Sequence, residues 1–181
     1  MVVSAAFLDP VYWKKFGRTS GRRLLGPLVT DAEASDDEFV LDLFTLAEWA
    51  LVGRDGRITV GNGVTRSVQV PALPGVLPPL YLVASIAAPP SWAGHQSQLE
   101  VRALDADGQP LATDPLVSGS AVFPPRAVDQ PDTWPRLPFV LQITGLPVQR
   151  AGTITFVLSL AGEELSSLTL DVRLLQRPVT A

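Results

Sequence analysis

Between residues 154 and 174 the chain alternates with a period of two. Ile154, Phe156, Leu158 and Leu160 occupy every second position, with Thr155, Val157 and Ser159 between them. Ala161, Gly162, Glu163 and Glu164 supply a turn, and the alternation resumes with Leu168, Leu170, Val172 and Leu174 against Thr169, Asp171 and Arg173. Successive side chains of an extended chain point to opposite faces, so this pattern puts one face in a dry core and one in water. A helix would scatter the same residues around its circumference. The segment is predicted to be a β-hairpin on a half-buried sheet, and that restricts the chain to β architectures.

The rest of the sequence fits the same class. Seventeen prolines and fourteen glycines cut it into short segments, as in an all-β domain. Leu80 to Ala88 is an unbroken apolar run of strand length, which suits a central strand. Leu99, Val101 and Ala103 alternate with Glu100 and Arg102 ahead of the turn Asp105-Ala106-Asp107-Gly108. Val64 to Val70, Val117 to Phe123 and Phe139 to Ile143 read as further strands. Pro124 to Pro138 reads as a long loop. Phe39 to Val52 fits a helical period as well as a strand, and sequence alone does not separate the two. The turn signal Arg54-Asp55-Gly56-Arg57 after it favours strand. On that reading one face carries Phe39, Leu41, Leu43, Thr45, Ala47, Trp49 and Leu51, with Trp49 in the core. Gly61-Asn62-Gly63 marks a bulge or bend. The whole is predicted to be all-β, a two-sheet antiparallel sandwich of immunoglobulin-like or related Greek-key type with about seven or eight strands.

From about residue 41 onward the order of signals resembles a large family of uncharacterised bacterial β-sandwich proteins. The matching stretches are LAEWALVGRDGRITVGNGVTRSV (46–68), YLVASI (81–86), QLEVRALDADGQPL (98–111), LQITGLPVQRAGTITFVLSLAGEEL (141–165) and LTLDVRLL (168–175). The resemblance implies the sandwich fold and transfers no catalytic residue. Residues 39–181 are assigned to the sandwich. Residues 1–38 are read as an N-terminal extension, loose or docked on the surface. Its first part carries Lys14, Lys15, Arg18, Arg22 and Arg23 near Trp13, and its end carries Asp31, Glu33, Asp36, Asp37 and Glu38.

Composition narrows the function. A chain of 181 residues can bury a core without staples, and it has no cysteine for disulfides or thiolate metal sites. A net charge of -4 argues against a nucleic-acid partner. No apolar run approaches the roughly 20 residues of a membrane span. The apolar N-terminus lacks the basic start of a secretion signal, so a cytoplasmic protein is expected.

Catalytic constellations are weak. His95 is the single histidine, no Gly-x-Ser-x-Gly elbow surrounds a serine, and no catalytic residue is assigned. Asp42 and Glu48 interrupt the apolar run and are expected to face outward or to cover a sheet edge. Asp105 and Asp107 resemble the start of a calcium loop, with Asp129 and Asp132 as distant candidates. The glutamate that would complete such a loop is absent, and Asp-x-Asp-Gly is also an ordinary turn. No metal or cofactor is assigned. Trp92 and Trp134 fall in proline-rich loops, where they either plug the end of the sandwich or form a binding platform. The expected function is a non-enzymatic module that binds another protein or its own copy, with Trp92, Trp134, Trp13, Lys14 and Lys15 as candidate binding residues. The alternative is a sandwich that binds a carbohydrate or small ligand through its loop tryptophans. A hydrolase or metal-dependent enzyme comes third.

Overall fold

The computed structural model describes residues 4–6, 38–62, 65–125 and 133–175. These residues form thirteen strands and no α-helix. One sheet has the order β1 (Ser4–Ala6), β10 (Arg136–Ile143), β7 (Leu80–Ala87), β2 (Val40–Ala47). The facing sheet has the order β5 (Ser67–Val70), β13 (Glu163–Leu174), β12 (Gly152–Leu160), β8 (Gln96–Leu104), β9 (Val117–Val122). Two small pairs complete the set: β3 (Trp49–Val52) with β4 (Ile58–Gly61), and β6 (Gly75–Val76) with β11 (Pro147–Val148).

The alternating C-terminal segment forms the expected hairpin, β12 and β13. Ile154, Phe156, Leu158 and Leu160 are all buried between the sheets, as are Leu170 and Val172. Facing them are Leu80, Leu82, Ala84 and Ile86 of β7 and Phe139, Leu141 and Ile143 of β10. The turn is tighter than the sequence indicated. Ala161 and Gly162 both adopt left-handed φ values, 55° and 86°, and Leu160 pairs with Glu163 directly. Two left-handed central residues make the turn whose twist matches that of the strands it joins. Glu163 and Glu164 therefore belong to β13. The register slips once, between Leu158 and Ser159, where Leu165 is the extra residue.

Three other expectations are corrected. The facing sheet is not wholly antiparallel, because β5 runs parallel to β13, with Val68 and Val70 opposite Val172 and Leu174. The loop expected up to Pro138 ends earlier, since β10 begins at Arg136 and takes Pro138 into its ladder opposite Ser85. The single face drawn from Phe39 to Leu51 does not exist. A bulge at Asp42, between Leu41 and Leu43, reverses the alternation, since one extra residue moves every later side chain to the other face. Phe39, Leu41, Phe44 and Leu46 consequently join the main core, while Leu43 and Ala47 face the opposite side of the sheet.

That opposite side is also dry. Val83 of β7 and Val140 of β10 point away from the main core, yet Val83 is fully buried and Val140 nearly so. The β3–β4 hairpin folds over them. Its inward residues Ala50, Val52, Ile58 and Val60 pack with Leu43, Ala47, Tyr81, Val83 and Val140 into a second, smaller core. The outer side of the five-stranded sheet is wet by contrast. Gln98 donates to Ser118 at 2.8 Å, Arg102 pairs with Glu100, and Arg173 pairs with Asp171.

Candidate interaction surface

The β3–β4 hairpin has two faces, and its register sets what each carries. Trp49 pairs with Gly61, Ala50 with Val60, Leu51 with Thr59 and Val52 with Ile58. Ala50, Val52, Ile58 and Val60 go inward, so Trp49 and Leu51 go outward. Trp49 is 42% exposed and Leu51 49%. The expected core position of Trp49 is thus corrected: it occupies the outer layer, because the chain leaves β2 at Glu48 and turns back over the sheet. The indole lies on Gly61, and a Cβ added there would fall on the ring itself. Glycine is required by that close approach, not by its backbone angles. At the mouth of the hairpin the Asn62 amide donates to Glu48 Oε2 at 2.6 Å. Asn62 has a left-handed φ of 60°, a conformation asparagine tolerates better than most residues. The result is a flat apolar patch of Trp49 and Leu51 with a polar border.

Trp92 sits elsewhere, in a short 3-10 turn, Pro90–Trp92, at one end of the sandwich. Its ring meets Phe39 edge-on at a centroid distance of 4.7 Å and Phe123 at 6.1 Å. Phe123 is fully buried. This packing matches the plugging role weighed for the loop tryptophans. His95 touches Trp92 edge-on at 5.9 Å. Trp134 is half-buried just before β10. The structure does not bring Trp92 together with Trp49. Trp13, Lys14, Lys15, Asp129 and Asp132 lie outside the described residues.

Asp105 and Asp107 are committed to a turn. Asp105 Oδ1 accepts from the N–H groups of Asp107 and Gln109, both at 2.9 Å. Arg150, from the segment before β12, donates to Asp107 and reaches Asp105 Oδ2 at 3.4 Å. The Gln109 N–H is the main cause that holds the Asp105 carboxyl below its ordinary range, with the Asp107 N–H and Arg150 acting the same way. The motif clips the β8 turn to the start of the closing hairpin. Among the described residues no group of three His, Cys, Asp or Glu side chains is arranged to hold a metal. Asp42, at the β2 bulge, is exposed and accepts from Arg136 Nε at 2.6 Å.

A cleft of about 370 Å³ opens at the side of the sandwich between β2 and β13, lined by Phe44, Thr45, Thr65, Arg66, Thr153 and Asp171 among others. It offers hydroxyl groups and a guanidinium. Its carboxylate, Asp171, is already engaged by Arg173 at 2.6 Å.

The model for DUF6941, a family of unknown function, matches residues 42–173. No curated protein matches the chain. Solved structures similar to it include the following three. The alkylpurine DNA glycosylase of Pseudomonas fluorescens, bound to DNA containing an abasic site analog, matches with a TM-score of 0.43 at 7% identity, over 76% of this chain and 31% of its own. The β-glucosidase of Listeria innocua in complex with glucose matches with a TM-score of 0.43 at 10% identity, over 76% of this chain and 16% of its own. An immunoglobulin-like protein of Pseudomonas aeruginosa matches with a TM-score of 0.36 at 12% identity, over 77% of this chain and 100% of its own. The chain therefore spans less than a third of the first two proteins.

Proposed function

The chain belongs to DUF6941, a family of unknown function, and we propose from its own surface that it is a non-enzymatic interaction module that binds another protein through the outer face of the β3–β4 hairpin. The observation that carries this reading is the exposure of Trp49 beside Leu51 on a rigid two-stranded support. Large apolar side chains are seldom left in water next to one another without a reason. Tryptophan is the residue most enriched among those that dominate protein–protein affinity, because it removes a large area from water at small entropic cost. Here the indole is already held flat against Gly61, so little rotamer freedom is lost on binding. The border of Glu48 and Asn62 supplies the polar rim that such contacts use.

The carbohydrate reading has less support. Trp92 faces Phe39 and Phe123 rather than open solvent. No helix among the described residues is long and apolar enough to cross a membrane. A non-enzymatic role fits the described surface, where carboxylates sit in ion pairs and turns rather than opposite a nucleophile.

Affinity purification of the full chain from its native host tests the proposal. The comparison is wild type against Trp49→Ala, with folding checked by circular dichroism. A protein recovered with wild type and depleted at least about tenfold with Trp49→Ala supports it. An unchanged set of recovered proteins contradicts it.

A further inference from the structure

Each of the two large sheets has two edges, and three of these four are blunted. β1 is only three residues long. β2 carries the bulge at Asp42, the Asp42–Arg136 ion pair, and a backbone cap where the Thr65 N–H donates to the Leu46 carbonyl. β5 is four residues long, between Arg66 and Pro71. Short strands, bulges, charges and prolines are the devices by which sheet edges avoid pairing with other chains. β9 has none of them. It spans Val117–Val122, six residues, with an unbroken register against β8 from Gln96↔Val122 to Val101↔Val117. Its sequence, Val-Ser-Gly-Ser-Ala-Val, has no charge and no proline, and no charged residue occurs from Pro115 to Pro125. Among the described residues no strand pairs with its outward side.

We propose that β9 pairs with β9 of a second copy of this chain, antiparallel about a two-fold axis, to join the two five-stranded sheets into one. The occupant follows from the chemistry of the edge. An isologous contact sets the edge against its own copy, so an edge of one charge sign repels itself and an uncharged one does not. β9 is uncharged along its whole length, and it is itself the kind of bare strand that it needs as a partner. Prolines at 115 and 124 bound the pairing window, because proline cannot donate to a ladder.

The pleat sets the register. Ala121 and Phe123 face the core, while Ser118, Ser120 and Val122 face out. A two-fold axis perpendicular to the sheet keeps faces matched, so odd positions pair with odd and even with even. Centring on Ser120 pairs it with its own copy, Val122 with Ser118 and Ala121 with Gly119. Val122, 46% exposed, comes to lie beside Ser118 of the second copy and loses part of its contact with water. The contact is independent of the Trp49 face, which lies on the other sheet's outer side.

Light scattering on the full chain across micromolar concentrations tests this. Wild type is expected to reach twice the chain mass of 19.3 kDa. Ser120→Lys and Ser120→Glu, each alone, place like charges at the axis and are expected to raise the dimer dissociation constant at least about tenfold. Mixing the two variants is expected to restore dimers, now of one Lys and one Glu chain. Trp49→Ala is expected to dimerise like wild type. A wild type that stays monomeric, a dimer unaffected by either charge, or a dimer lost in Trp49→Ala would each overturn the proposal. Rescue by mixing also rules out misfolding as the cause of dissociation.

Discussion

Trp49 and Gly61 show how a single pair decides what a surface offers. The indole covers Gly61 because no side chain stands there, and it stays outside because Ala50 and Val60 take the inward positions of the same hairpin. Gly61→Ala should therefore push the indole off the strand rather than break the hairpin, since φ at residue 61 is not left-handed and a ring end can swing aside. The expected outcome is a shift in tryptophan emission, with stability changed by no more than about 1 kcal/mol. Asp105 answers to pH instead. Its folded pKa is depressed, chiefly by the Gln109 N–H, so it stabilises the fold fully above its ordinary value of 3.8 and loses that effect as pH falls through the folded value. Asp105→Asn should unfold at lower urea than wild type at neutral pH, and the gap should shrink in acid below pH 3.8. A gap that grows in acid would contradict the sign. The exposure of Trp49 was within reach of the sequence. Counting out from the three-residue turn Arg54-Asp55-Gly56, closed by the Gly53 N–H on the Arg57 carbonyl, places Trp49 opposite Gly61 and Ala50 opposite Val60, and only the second pair could make a core. Reading Phe39 to Leu51 as one face hid it, because both faces of β2 are apolar and so mask the change of phase at the Asp42 bulge.

Elements that alternate strictly were legible in full, and those that change partner were not. β12 buries all four apolar positions that its period of two selects, β13 buries Leu170 and Val172 but only partly Leu168 and leaves Leu174 exposed at its end, and β7 is central as its unbroken apolar run indicates. Phe156 lies at the middle of that core, and Phe156→Ala should cost about 3–5 kcal/mol in urea unfolding. The parallel pairing of β5 with β13 and the short β6–β11 pair depend on which distant segments meet, and local pattern carries no such information. The β3–β4 hairpin raised the strand count in the same way, by splitting a single apolar run where the chain turns from one layer into another. Its role as a cover has a direct test. Val83 is fully buried on a face that an ordinary sandwich leaves wet. Val83→Thr keeps the shape but buries a hydroxyl, so a loss of about 1–3 kcal/mol is expected. Val122→Thr, on an exposed edge position, should cost almost nothing. Equal effects at the two sites would mean that the hairpin does not seal the sheet.

At the scale of the molecule the two sheets treat their outer sides differently. The five-stranded sheet presents hydroxyls, amides and ion pairs to water. The four-stranded sheet is roofed by a hairpin whose own top is apolar. The pattern leaves Trp49 and Leu51 exposed on the roof and β9 as the bare edge, two places where the chain can meet other chains without disturbing its core. Sequence reasoning directed attention to Trp92 and Trp134 as loop residues. Trp92 takes the plugging role of the two weighed for it and closes one end of the sandwich with Phe39 and Phe123, a packing that brings together residues far apart in the chain. The most direct test of the interaction surface is affinity purification of the full chain from its host, wild type beside Gly61→Ala, which displaces the indole, and Trp49→Ala, which removes it. The expected result is a binding partner retained by wild type and lost with both variants while their unfolding curves stay close to wild type. Recovery of the same proteins in equal amount with all three would contradict the role given to this face.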